Sequence, residues 1–394
     1  MFLTGCKKVF YYKNYMLTIF PNYAVCYKEN KYWIETSQLL VNEEIINNGI
    51  ELTIAAVVDY SFCEGNYSVL ETESVNFKSL GRYDSRHSSF LKTVNYFIYI
   101  TNIVKIIKNS KFNYIYSPGH IGLLTILIAV ILNKPYAIYL RGEWIDSTPK
   151  LFFIFFRKIF KKAKFIICTG IELAKKTSKI NKNTISVSPM SALLNIDPFF
   201  NSKKDDSTIN ILFVGQLIKK KGVYELIYAF QKINSTLGLN LNIKLDIIGN
   251  GLEKNNLIEL ITKLNLENKV SIFSINSDNT ALAYQYIKSD IFCLPTFSEG
   301  FPRVIYEAMH FSIPIITTKV GQIPSLIKDE QNGIFCITGS SDSLAEKLYD
   351  LITTKSKRLM LGSNGNLTLQ PFLKIWRKTS HGKQIVEMLS QHNV

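Results

Sequence analysis

Residues 209–233 read "INILFVGQLIKKKGVYELIYAFQKI". The opening run "INILFVG" (209–215) is apolar without a break and ends on glycine. The closing run "VYELIYAFQKI" (223–233) sets Leu226, Ile227 and Phe230 at helical spacing. An unbroken apolar strand is one covered on both faces, and a strand feeding an amphipathic helix is the repeating unit of a parallel sheet. The same alternation continues through the strand-like runs "NIKLDIIG" (242–249), "KVSIFS" (269–274), "DIFCLP" (290–295) and "IPIITT" (313–318). Between the first two, "LEKNNLIELITKLNL" (252–266) places Leu257, Leu260 and Ile261 on one helical face. The class is therefore α/β with a doubly wound parallel sheet.

The first half of the chain repeats the scheme less cleanly. Its expected strands are "NYAVCY" (22–27), "ELTIAAVV" (51–58), "YIYSP" (114–118), "YAIYL" (136–140), "KFIIC" (164–168) and "TISVSP" (184–189), with a long helix over 88–108. The polar run "NSKKDDST" (201–208) reads as a linker. A chain of 394 residues is long for one core and suits two domains. We expect Rossmann-like domains at 1–198 and 206–365. One last helix follows Pro371, with 366–394 packing back toward the first domain.

Composition narrows the function classes. At 47% hydrophobic and 12% aromatic residues, the chain holds enough apolar surface to fold. The six cysteines lie far apart with no Cys-x-x-Cys pair, which points to a reducing cytoplasm and away from zinc. The longest apolar run, "IGLLTILIAVIL" (121–132), is well short of the roughly 20 residues of a spanning helix. The start, "MFLTGCKKVF", puts lysines after the apolar residues, the reverse of a secretory signal. The net charge of +15 is concentrated: residues 151–190 hold nine Lys/Arg against one acid, Glu172. Within it, "LFFIFFRKIFKKAKF" (151–165) mixes phenylalanine with lysine. Two readings stand. Either the segment 151–182 lies on an anionic membrane, apolar side down, or the helix packs on its own sheet through Phe152, Phe155, Phe156 and Phe160. The first is favoured, because the excess charge exceeds what solubility needs. No zinc-finger, helix-turn-helix or RNA-binding signature accompanies the charge, so nucleic acid is not an expected partner.

Ligands of open parallel sheets bind at the carboxyl ends of the strands. Three such ends stand out. "GQLIKKKG" (215–222) offers Gly215, a helix start and Lys219, Lys220 and Lys221, which suits a phosphate or is simply a solvated basic face. "GNG" (249–251) places Gly249 and Gly251 either against a ligand or in a plain turn. "FSEGFPRVIYEAM" (297–309) sets Glu299 in a loop and Glu307 some one and a half turns into the helix that Phe301-Pro302 opens. Two acids so placed can each hold a pair of hydroxyls, or they are a surface acid and a helix-dipole acid.

These three stretches, extended through "PTFSEGFPRVIYEAMHFSIPIITTKVGQIPSLI", resemble the donor half of the retaining GT-B glycosyltransferases of family 4 over about 209–340. The resemblance implies a GT-B fold, an acceptor-binding first domain and a donor-binding second one. The reaction implied is hexosyl transfer from a UDP- or GDP-sugar to a glycan acceptor, with no cofactor and no metal site. It implies Glu299 on the donor-sugar hydroxyls, Glu307 on the ribose, and backbone amides of Phe301 and Arg303 on the sugar. Lys221 matches the family's diphosphate lysine, while Gln216 stands where the family has arginine, leaving Lys219 or Lys220 to compensate. Gly215, Gly249 and Gly251 complete the donor set. Arg141, in "YAIYLRGEW", takes the place of the family's His-Gly and suits a phosphate or a charged acceptor, not a base. Tyr32 and Trp33 in the loop "KENKYW" (28–33), and His120 in "SPGHIG", are acceptor-side candidates, the aromatics serving equally as core. Related enzymes act on lipid-linked acceptors, which implies a polyisoprenyl-diphosphate glycan at the inner face of a bacterial membrane. The rival functions are a GT-B epimerase or phosphorylase, a degenerate scaffold, and a non-catalytic protein binding anionic surfaces.

Overall fold

The structure is a computed structural model and describes residues 15–60, 67–70, 73–83, 89–141, 150–187, 191–198, 207–237, 241–275, 278–300, 302–376 and 380–392. It divides into two compact units, Met1–Val187 with Lys378–Val394, and Ser188–Arg377.

Among the described residues, the first unit carries strands β1 (Met16–Phe20), β2 (Val25–Lys28), β3 (Lys31–Glu35), β4 (Glu51–Asp59), β5 (Tyr67–Val69), β6 (Val75–Tyr83), β7 (Phe112–Ser117), β8 (Tyr136–Leu140), β9 (Ile166–Thr169) and β10 (Thr184–Val187). Its helices are α1 (Thr36–Asn47), α2 (Ser89–Asn109), α3 (His120–Ile131), α4 (Lys150–Lys162) and α5 (Ile171–Ser178). The sheet runs β10-β9-β8-β7-β1-β4-β2-β3-β5, with β6 also on β4.

Two expectations change here. The first strand is not 22–27 but β1, "MLTIF", which sits between β4 and β7 and pairs parallel with both. Five residues after an uninformative start gave no period to read. The sheet is also not wholly parallel, because β3 runs antiparallel to β2 and β5. Glu29 and Asn30 between β2 and β3 both have positive φ, 53° and 58°. That is the backbone of a two-residue hairpin turn whose twist matches its strands.

The second unit is wholly parallel among the described residues. Its strands are β11 (Thr208–Val214), β12 (Asn242–Ile248), β13 (Val270–Phe273), β14 (Ile291–Leu294), β15 (Ile315–Thr318) and β16 (Ile334–Cys336), in the order β13-β12-β11-β14-β15-β16. The helices are α6 (Val223–Leu237), α7 (Lys254–Lys263), α8 (Asn279–Lys288), α9 (Arg303–His310), α10 (Ile323–Leu326), α11 (Ser341–Thr353) and α12 (Lys355–Trp376). The apolar runs behave as expected of strands covered on both faces: Ile211, Leu212, Phe213, Ile243, Leu245, Ile247, Ile291 and Phe292 are fully buried. The three-residue β16 was too short to read from sequence.

The domain limits differ from 198, 206 and 365. Leu193 and Leu194 belong to the core of the second unit, and the Ile196 carbonyl accepts from His310 Nε2 at 2.7 Å. The segment 191–197 is thus tied to α9, while most of the expected linker 201–208 (its residues 201–206) lies outside the described residues. The single helix expected after Pro371 is two. Helix α12 runs through Pro371 and buries Leu361, Leu369 and Leu373 in the second unit. The last helix, α13 (His381–Gln391), joins the first unit on α1, where the Gly382 N–H donates to Glu44 Oε2 at 3.1 Å.

Helix α4 corrects the membrane geometry. Phe156, Ile159 and Phe160 are buried in the core of the first unit, so that part of the apolar side is unavailable to lipid; the side chains of Phe152 and Phe155 lie outside the described residues. Arg157, Lys158, Lys161, Lys162 and Lys164 are exposed, as is Ile154. Among the described residues no helix is long and apolar enough to cross a membrane.

Candidate functional site

In the second unit, the loops after β11 and β12 are knitted together. The Gly215 N–H donates to the Ile248 carbonyl at 3.0 Å, Leu217 to Asn250 at 2.8 Å, and Glu253 to Leu217 at 3.0 Å. A Cβ on Gly249 would stand 1.8 Å from the Gly215 carbonyl oxygen. Gly249 is therefore demanded by the neighbouring loop, a reason that neither the ligand nor the turn reading anticipated. Gly251 likewise faces Leu217. Gln216 is exposed beside them. Past the loop, Lys219–Lys221 form one 3-10 turn and α6 begins only at Val223. The free N–H groups of a helix start consequently lie beyond the lysines and not at Gly215.

Loop 296–299 after β14 is held from three directions. The Phe297 N–H and Thr296 Oγ1 donate to the Lys220 carbonyl at 2.8 and 3.1 Å. Thr318 Oγ1 donates to the Thr296 carbonyl. Gly321 has φ of 59°, and a Cβ there would come within 1.7 Å of the Glu299 carbonyl oxygen. A side chain at 321 would meet both left-handed backbone strain and a direct clash. The glycine after "TTKV" thus fixes where Glu299 sits. The Glu299 carboxylate accepts from the Lys221 ammonium, and the two side chains are 10% and 19% exposed. The structure therefore brings two expected site residues together as an ion pair. Lys220 is not part of that pair; with Lys219 it lines a neighbouring hollow.

Glu307 lies deeper than a helix-flank acid. It is 7% exposed, its Oε1 accepts from Ser191 Oγ at 2.7 Å, and its Oε2 accepts from Tyr286 OH at 2.8 Å. Each carboxylate oxygen has two lone pairs, so among the described residues these two bonds leave one acceptor site per oxygen for a further hydroxyl. Tyr286 is fully buried and stacks on Phe311 at 5.4 Å. Burial, and then the Glu307 charge, push its phenol well above the ordinary range, so it is a donor. Neither Ser191 nor Tyr286 was legible as a site residue, because each reaches Glu307 across more than twenty positions without a motif. Pro302 caps α9, Arg303 is its first residue and exposed, and Phe301 lies outside the described residues.

In the first unit, Arg141 follows the carboxyl end of β8, and its N–H donates to the Ser117 carbonyl at 2.8 Å. Its guanidinium lies 5.5 Å from the centroid of the Tyr139 ring. Burial opposes its charge, but Tyr139, Glu35, Tyr116 and Tyr23 outweigh that and hold its pKa above the usual value. Gly142 and Glu143 beside it lie outside the described residues. His120 is exposed as the first residue of α3, after the adjacent strand β7. Sequence reasoning missed His381 on α13. Its Nε2 is 2.9 Å from Tyr114 OH and its ring 4.4 Å from that of Tyr139. Burial, and then the Arg141 charge, push its pKa down to about 3, so it is neutral.

Tyr32 and Trp33 are corrected. They stand in β3 and not in a loop after a strand. Tyr32 lies 4.3 Å from the Phe77 ring and 5.0 Å from Tyr27. Trp33 Nε1 donates to the Lys28 carbonyl at 3.3 Å. Both are half-buried within an aromatic cluster.

Residues 196–368 match the family described as Glycosyl transferases group 1. The capsular polysaccharide biosynthesis glycosyltransferase CapM of Staphylococcus aureus is 29% identical over 265 residues, which is 62% of this chain and 68% of that protein. Among solved structures, sucrose-phosphate synthase from Thermosynechococcus elongatus superposes with a TM-score of 0.65 at 15% identity, over 96% of this chain and 99% of that one. Anabaena HepE, solved with UDP and glucose, gives 0.63 at 16% identity, over 96% and 100%. At such identities the likeness to the solved structures is one of fold, and the fold is GT-B.

Proposed function

Because residues 196–368 match the glycosyl transferases group 1 family, we propose that the chain moves a hexosyl unit from a uridine-diphosphate sugar to a hydroxyl of a glycan acceptor, keeping the anomeric configuration. The observation that carries this reading is the Lys221–Glu299 pair held at the end of β14, in the same unit as the buried Glu307. Catalysis by such a site is positioning together with stabilisation of the departing diphosphate. Glu299 accepts from sugar hydroxyls, Lys221 shares its ammonium between Glu299 and the diphosphate, and Glu307 uses its remaining lone pairs on the ribose. Backbone N–H groups at Phe301 and Arg303 add to the sugar contacts. No resident metal or other cofactor is invoked. Uridine is chosen because HepE was solved with UDP and glucose. Arg141 serves an anionic group of the donor or the acceptor, with His120 on the acceptor side. The place of CapM in capsular polysaccharide biosynthesis supports a surface-polysaccharide acceptor; its carriage on a polyisoprenyl diphosphate at the inner membrane face is part of the proposal.

Thermal denaturation with UDP-glucose, UDP-N-acetylglucosamine and GDP-mannose tests the donor. Saturation at about a hundred times Kd stabilises a site by about 2.7 kcal/mol, so a rise in Tm with a UDP-sugar is expected. No rise with any nucleotide sugar would remove the proposal.

The membrane contact now rests on charge. The exposed lysine face of α4, with Ile154, meets anionic headgroups while Phe156 and Phe160 stay in the core. Each lysine near such a surface contributes about 1 kcal/mol. Changing Lys158, Lys161, Lys162 and Lys164 to glutamine is expected to reduce co-sedimentation with phosphatidylserine vesicles at least tenfold. Equal sedimentation of both proteins would contradict it.

A further inference from the structure

A hollow of about 600 Å³ opens in the second unit beside the loops just described. It is lined by Lys219, Lys220, Tyr224, Glu225, Glu253, Asn256 and Phe297. Its walls come from the 3-10 turn, the first turn of α6, the start of α7 and the loop after β14. Glu299, Lys221 and Glu307 are not among them.

The lining excludes most ligand classes by charge. Two lysines and two glutamates line it, so neither an anion nor a cation finds residues of one charge sign. A purely apolar ligand would have to desolvate four charges. What suits the set is a neutral molecule rich in hydroxyls with an apolar face. Hydroxyls donate to Glu225 and Glu253 and accept from Lys219, Lys220 and Asn256. The C–H face of a pyranose lies on the rings of Tyr224 and Phe297, and aromatic residues with a polar handle serve such half-wet contacts.

Part of the site is already organised. Tyr224 OH donates to Glu253 Oε2 at 2.5 Å, and Asn256 Nδ2 donates to the same oxygen at 3.0 Å. These two bonds orient the carboxylate and hold it below its usual pKa, so it is an acceptor at neutral pH. Phe297 is 41% exposed, yet its backbone is fixed by the bond to Lys220 and its ring is backed by Gly339. A Cβ at Gly339 would come within 3.1 Å of that ring.

We propose that this hollow is a second saccharide subsite, which binds one or two neutral sugar units of a glycan and is separate from the donor site. The same chemistry could be supplied by the sugar of the donor itself, and the test separates the two sources. Saturation-transfer-difference NMR is recorded on the full chain with maltotriose and with N,N′-diacetylchitobiose, in the presence of saturating UDP. The expected result is transfer to ring C–H protons of at least one probe, undiminished by UDP. Tyr224→Ala and Phe297→Ala are expected to reduce that transfer at least fivefold. Tyr224→Phe, which keeps the ring, retains most of it. UDP-induced stabilisation of all three variants should match the parent chain, which shows that they fold and that the donor site is intact. Transfer to neither probe, transfer abolished by UDP, or equal transfer in the alanine variants would each overturn the subsite. None of these outcomes touches the donor reading, which fails only if UDP-sugars do not bind.

Discussion

Replacing Lys221 by methionine is expected to lower kcat/KM for sugar transfer by about 10²–10³-fold, the usual effect of removing one group that stabilises a departing oxyanion. Methionine keeps much of the stem of the side chain and removes its charge. The loss has two separable parts. One is catalytic: the bond from the anomeric carbon to the diphosphate breaks without the ammonium proposed to stabilise it. The other is structural: the Glu299 carboxylate, with its side chain 10% exposed, loses its counter-ion. Leaving a largely buried charge unpaired costs about 3 kcal/mol, less here because Lys221 is itself 19% exposed. The double variant Lys221→Met with Glu299→Gln removes both charges and is expected to recover most of the stability while staying inactive. Steady-state kinetics together with thermal denaturation separate the two parts. A Lys221→Met enzyme within twofold of the parent rate would refute the role given to this lysine.

Glu307→Ala is expected to give the largest stability loss. It strips the acceptor from two hydroxyls at once, Ser191 Oγ and the fully buried Tyr286 OH. A buried hydroxyl left without a partner costs about 1–3 kcal/mol, and the cavity adds to it. A total of about 3 kcal/mol lowers Tm by about 6–12 °C for a unit of this size. UDP affinity should fall at least tenfold in the same variant, because the ribose loses its carboxylate. Glu307→Gln keeps an acceptor and a donor in place and should recover most of the stability but only part of the affinity. Calorimetric unfolding and UDP titration read the two effects. If Glu307→Ala binds UDP as the parent chain does, the ribose assignment is wrong.

Much of the second unit was legible because its determinants are local. Strands β11, β12, β14 and β15 are continuous apolar runs, and burial on both faces is what such runs mean. Glu299, Lys221, Gly249 and Gly321 sit at strand ends, where a doubly wound sheet puts its ligand loops. The first unit was harder. Strand β1 is five residues long, and β6 (Val75–Tyr83) alternates with polar residues. The hairpin turn at Glu29-Asn30 lacks the glycine that marks such turns in sequence. Tyr32 and Trp33 were therefore placed in a loop when they belong to a strand.

What the order of residues determined by itself was the alternation of strand and helix, and with it the set of turns able to meet a ligand. Those features depend on hydrophobic period and on glycine, which act within a few residues. Only the tertiary structure decided the partners. It paired Lys221 with Glu299 across 78 positions. It turned Glu307 inward onto Ser191 and Tyr286. It set His381 of the last helix against Tyr114, 267 positions away. It also spent Phe156 and Phe160 on the core, leaving the charge of α4 to face water. A side chain's burial and its hydrogen-bond partners depend on which surfaces the fold brings together, and no local period carries that information.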